Sequence, residues 1–222
     1  MLLSRVAKTL CAISLLSPTG AFAQLGAPQY GAESPQAVVA GLQKPIESDD
    51  IVAAMPFISS AGRRDLAENA FGGLLVALSF YNPDEQVLGS KPPKAELDTQ
   101  RKNYRTAVSV ARQALKPHGL DGLVGQPPAA AMEPKAQATV KSALDKADAV
   151  AVVSAVMSTL ERISVLLKME KSNTRKVPFS FSTVTDYRVD GDRATAKGAN
   201  ETLEFEKVQG RWYIKTSLAG SK

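Results

Sequence analysis

The stretch Glu201–Lys215, ETLEFEKVQGRWYIK, alternates apolar and polar side chains on both sides of Gln209-Gly210. Period-two alternation around a two-residue turn signal is the pattern of an antiparallel β-hairpin. With Gln209-Gly210 as the turn, Phe205 falls opposite Ile214 and Glu204 opposite Lys215, while Leu203, Phe205, Trp212 and Ile214 share one face. The other face carries Thr202, Glu204, Glu206, Tyr213 and Lys215, which suit water or a polar groove. Half of this hairpin therefore needs a cover.

Upstream, the period stays at two as far back as Val177. Residues 178–189, 193–198, 201–208 and 211–217 read as four strands joined by Asp190-Gly191-Asp192, Gly198-Ala199-Asn200 and Gln209-Gly210. Short connections make this an antiparallel meander. Tyr187 and Val189 offer the first strand a pair comparable to Trp212 and Ile214.

Before Lys168 the period is helical. Ser34-Pro35 is an N-cap followed by proline at the first helical position, where the missing N–H costs nothing. Val38, Val39 and Leu42 lie on one face of that helix, and Pro45 is expected to stop or kink it. Asp49-Asp50 reads as an acidic cap on the short piece Ile51 to Met55 rather than as an acid–base pair.

A longer helix runs from Ser59 or Ser60 to Tyr81, with Leu66, Ala70, Leu74, Ala77 and Leu78 inward. Gly72-Gly73 in its middle predicts close packing or a kink. The next spans Pro93 to Lys116 with a seam of Leu97, Tyr104, Val108, Ala111 and Leu115. Two more follow, Pro134 to Lys146 and Asp148 to Lys168, and the basic run Lys168 to Lys176 links them to the strands.

The apolar stretch Ala149 to Leu167 reaches the lower limit of a membrane span, but Glu161-Arg162 within it favours a core helix. The fold class expected is α+β, an N-terminal helical region packed on a C-terminal antiparallel meander of about four strands. Residues 34–222 are taken as one domain, helical over 34–170 and sheet over 177–217.

The chain opens MLLSRVAKTLCAISLLSPTGAFAQ: Arg5 and Lys8, an apolar run, then Ala21-Phe22-Ala23. That order is a secretory signal peptide, 1–23, with cleavage after Ala23. Gln24 to Glu33 is then a flexible lead-in. Cleavage leaves 199 of 222 residues, removes the single cysteine, and sets 25 basic against 22 acidic side chains. The expected location is the periplasm or the exterior, with no thiol chemistry, no nucleic-acid partner and no transmembrane anchor.

Catalytic signatures are missing: HExxH, GxSxG, SxxK, a P-loop and GxGxxG do not occur, and nothing calls for a cofactor or a metal. The one histidine, His118, sits just past a helix end in Lys116-Pro117-His118-Gly119 and suits the negative helix terminus better than a base. Lys94, Arg101, Arg105, Arg112 and Lys116 fall along one flank of a helix. Such a flank could meet an envelope protein, an anionic polymer or a lipid surface, or could snorkel beside the core with no ligand.

The opening Ser34-Pro35, the segments Asp49-Asp50-Ile-Val-Ala-Ala54 and Phe57-Ile-Ser-Ser60 before Arg63-Arg64, and the tail Val189-Asp-Gly-Asp-Arg-Ala-Thr-Ala196 with Gly210-Arg-Trp-Tyr-Ile214 resemble exported bacterial proteins of the NTF2-like superfamily, lumazine-binding-like type. The resemblance implies helices on a curved antiparallel sheet, sometimes enclosing a pocket. Here such a pocket would be lined near Tyr187, Phe205, Trp212 and Ile214. The helical stretch between Ser60 and Lys168 departs from that pattern, and no catalytic residue transfers. The expected function is a non-enzymatic exported binding or structural module; the alternatives are a small-ligand pocket protein and an adaptor for anionic surfaces.

Overall fold

The computed structural model describes residues 30–84, 93–127, 130, 133–169, 181–199 and 202–215. The expected signal peptide, most of the expected lead-in and most of the basic linker lie outside the described residues. The fold is α+β: among the described residues, six α-helices precede a four-stranded antiparallel sheet. The helices are α1 (Pro35–Glu47), α2 (Ile51–Ala54), α3 (Ser60–Phe80), α4 (Lys94–Leu115), α5 (Pro134–Lys146) and α6 (Ala149–Leu167). The strands are β1 (Thr185–Asp190), β2 (Arg193–Lys197), β3 (Thr202–Val208) and β4 (Arg211–Ile214), in that spatial order.

Local chemistry explains the helix starts. Ser34, Asp50, Ser59 and Asp148 each accept a backbone N–H of the following turn, so four helices begin on a side-chain oxygen. α1 passes through Pro45 to Glu47, contrary to the expected stop, and Ile46 beyond the proline is buried. A proline so near the helix end removes one backbone hydrogen bond without breaking the packed face.

The hairpin register matches the pattern. Phe205 pairs with Ile214, Lys215 N–H donates to the Glu204 carbonyl at 2.8 Å, and the Lys215 ammonium lies 3.6 Å from the Glu204 carboxylate. Gln209 and Gly210 both have positive φ, 52° and 79°, the backbone hand that a two-residue turn needs to follow the strand twist. At the other end of the sheet the expectation is corrected. β1 starts only at Thr185, residues Phe181–Thr183 form a 3-10 turn, and a bulge at Asp186 shifts the register. Val189 is exposed instead of pairing with Tyr187 in the core.

The larger finding is that the protein has two cores. Leu203, Phe205, Trp212 and Ile214 pack with Ala194 and Ala196 against Val38, Val39 and Leu42 of α1, with Ile58 and Phe181. Phe71, Leu74, Leu78, Ala107, Ala111, Leu115, Val152, Val156 and Ile163 form a second cluster among α3, α4 and α6. α1 is the main cover of the sheet, and Leu66 of α3 packs at the side of the same core. The neighbours Ala54 and Met55 belong to different cores, and Ile51 packs against both, so the short α2 is the joint. Burial of each large side chain in either cluster contributes roughly 1.5–3 kcal/mol.

The last residues of the expected lead-in belong to this joint. Ala32 exchanges backbone hydrogen bonds with Trp212 at 2.8 and 2.9 Å, and Ser59 N–H donates to the Ile214 carbonyl at 2.9 Å. These two segments occupy the outer edge of β4, which would otherwise offer unpaired backbone groups.

α6 is by length and composition apolar enough to cross a membrane, with a mean hydropathy of 1.7. It packs against α3 and α4 and buries Val152, Val153, Val156, Thr159 and Ile163. α3 buries Ala67, Phe71, Leu74 and Leu78, while Ala70 is partly buried against the same core and Leu66 against the sheet core.

Gly72 and Gly73 lie within that one helix, and an added Cβ at either would meet no atom within 4 Å, so they are not close-packing positions. Gly73→Ala should therefore raise stability by about 1 kcal/mol through helix propensity alone. Urea denaturation checks this, and a lower midpoint would show an unrecognised constraint there.

Candidate functional site

A cleft of about 810 Å³ opens where α3, α5 and α6 begin or end beside the N-terminal segment. Its walls follow from two adjacent arginines near the start of α3. Arg63 donates from Nη1 to the Ile58 carbonyl at 2.9 Å, and its guanidinium lies 4.5 Å from the Tyr30 ring centre and 5.8 Å from that of Tyr213. The Tyr213 hydroxyl in turn donates to the Tyr30 carbonyl at 3.2 Å, and Arg211 Nη2 donates to the Gly31 carbonyl at 2.8 Å. Arg63 thus fastens α3 to the sheet edge through cation–π contact and a hydrogen bond.

Arg64 turns the other way and forms an ion pair with Asp145 of α5. Its Nη2 atom is closed off from solvent and has no partner, so a guest in the cleft cannot reach it without movement of the wall. Asp148 caps α6 by accepting from Val150 N–H at 2.9 Å. Asp65 and Glu68 of α3 and Lys141 of α5 also line the cleft, all exposed. They form no ion pair within 4.0 Å among the described residues, so the open charges are two carboxylates and one ammonium.

The sheet residues expected to line a pocket are elsewhere. Phe205, Trp212 and Ile214 are 1%, 5% and 0% exposed and fill the core against α1. Tyr187 is half-buried at the margin, its ring centre 6.4 Å from that of Phe205. Desolvation by burial pushes the Tyr187 phenol above its ordinary pKa. None of these four residues lines any of the four cavities described in this structure.

The basic flank of α4 is divided. Arg101 is held by Asp84 at 2.7 Å, with Asp98 at 3.9 Å, and Arg112 donates from Nε to the Val124 carbonyl at 3.0 Å. Those two arginines fasten loops to the helix. Lys94, Arg105 and Lys116 are exposed. Arg105 and Arg112 border a cavity of about 340 Å³ with Tyr104 and Gly125.

Asp50 caps α2 by accepting from Ala53 N–H at 3.0 Å, and Asp49 takes the turn before it with φ 54°. His118 lies in the 3-10 turn after α4, away from the junction cleft. Among the described residues no group of three or more His, Cys, Asp or Glu is placed to hold a metal. The junction cleft offers charge and hydrogen bonds without histidine or cysteine, a lining suited to holding a polar solute.

No protein-family model, curated protein or solved structure matches the chain.

Sequence reasoning passed over Tyr30, Lys141 and Asp145, and took Arg63-Arg64 only as part of a resemblance. The spacing of Lys141 and Asp145 by one helical turn was visible, but an i, i+4 pair usually reads as a local ion pair. Here the two residues line one wall, and Asp145 turns to a distant helix.

Proposed function

We propose that the protein is a non-enzymatic binding module, exported to the bacterial periplasm or envelope, whose ligand seat is the junction cleft. The observation that carries this reading is the cleft itself: about 810 Å³, with exposed carboxylates of Asp65 and Glu68 on one wall and the Lys141 ammonium on another. Concave sites with a few convergent polar groups are where small ligands bind. Charges of both signs suit a dipolar solute such as a free amino acid or a short peptide, which would bring its own ammonium and carboxylate. The location rests on the order of charged, apolar and small residues over 1–23, which reads as an export signal. Kinship with NTF2-like proteins is supported by a helix, α1, laid across a four-stranded antiparallel sheet.

The test is calorimetric titration of the purified protein with amino acids and short peptides, repeated on Glu68→Gln and Lys141→Gln. A solute bound by the native protein should lose about tenfold or more in affinity in each variant, or roughly 1.4 kcal/mol. Binding indifferent to both substitutions, or turnover of the bound solute, would remove this reading. Retention of the protein in the cytoplasm after cell fractionation would remove the export.

A further inference from the structure

A second cleft, of about 640 Å³, separates the turn after α4 from the outer face of α5. Lys135, Thr139, Ser142 and Lys146 follow one another at helical spacing along that face, so an ammonium stands at each end and hydroxyls lie between. His118 closes the opposite wall, beside Gly119, whose φ of 71° turns the chain back. Among the described residues no carboxylate lines this cleft. The one acidic residue of α5, Asp145, is drawn to the other side by Arg64, and Asp148 caps α6 at the junction cleft. The carboxylate of α5 faces the junction cleft together with Lys141, and this face keeps Lys135 and Lys146.

We infer that this cleft binds a linear phosphate polyanion. Lys135 and Lys146 are separated along the axis by roughly 16 Å, at 1.5 Å per residue. A single small ion would meet one ammonium, whereas a chain of phosphates meets both and passes Ser142 and His118 between them. The cations of the described lining are lysines. Their ammonium groups act as rotatable point charges, a form in which lysine binds phosphate. Pro117, Ala138 and Ala143, which also line the cleft, carry no charge. This site is separate from the junction cleft, and its ligand does not depend on what that cleft holds.

The experiment is titration of the full mature chain with short-chain polyphosphate, inorganic phosphate and vesicles of phosphatidylglycerol. Binding is read by fluorescence anisotropy of labelled polyphosphate, by vesicle co-sedimentation, and by the ring resonances of His118, the only histidine in the chain. Polyphosphate should shift those resonances, inorganic phosphate should do so only weakly, and the affinity should fall steeply with added salt. The Lys135→Gln, Lys146→Gln double variant should lose about tenfold or more in affinity. Removing the same charge from the sheet with Arg193→Gln, Lys197→Gln should leave affinity nearly unchanged.

Equal response to inorganic phosphate and polyphosphate, equal loss in both double variants, or binding to vesicles without binding to polyphosphate would each overturn the inference. Circular dichroism of the variants separates lost binding from lost fold.

Discussion

Phe205→Ala should destabilise the protein by about 3–5 kcal/mol, the cost of removing an aromatic side chain from a packed core without refilling the space. Phe205 is 1% exposed and sits between Ala194 of β2 and Ile214 of β4, in the cluster completed by Val38 and Leu42 of α1. A loss of that size is a large share of the 5–15 kcal/mol typical of a folded domain. The loss should also be local. Hydrogen exchange should show α1 and β2–β4 losing protection first, while the amides of α3, α4 and α6 retain theirs, because no sheet residue contributes to their core. A cost below about 1 kcal/mol would mean that the face is not packed as described.

Phe71→Ala should cost a similar 3–5 kcal/mol with the opposite distribution. Phe71 is 1% exposed in the cluster of Leu74, Leu78, Ala107, Ala111, Val152 and Val156. Its loss should free the amides of α3, α4 and α6 while the hairpin and α1 stay protected. The pair of variants therefore tests the two-core organisation as well as each site. If both remove protection from every element alike, α2 and the Arg63 contacts couple the cores into one cooperative unit, and the separation seen in the packing has no thermodynamic counterpart.

Where the sequence was read correctly, the reason is short-range periodicity. The β3–β4 hairpin was legible because side chains alternate across a strand and a two-residue turn sets the register, so a few residues determine which faces point inward. The starts of α1, α3 and α6 were legible because a serine or aspartate oxygen satisfies backbone donors within one turn of itself.

The same local reasoning found only part of the inner face of α3. It named Leu74 and Leu78 but missed Ala67 and Phe71, and that Leu66 meets the sheet core while Ala70 meets the helical one depends on where the other elements lie. It also let Arg101 and Arg112 stand in a free basic stripe, because Asp84 and the Val124 carbonyl come to them only through the fold.

The candidate site was nearly invisible for a related reason. Arg64 and Asp145 are ordinary surface residues in sequence, and no local pattern marks residues that meet across two helices and a joint. The sequence by itself determined the α+β class, the order of helices and strands and the hairpin register, all of which rest on interactions among near neighbours. The division into two cores, the covering of the sheet chiefly by α1, and the pairing of Asp145 of α5 with Arg64 of α3 were decided by the tertiary structure. They depend on which apolar surfaces find each other over long separations, a choice set by the shape of the packed chain and carried by no single segment.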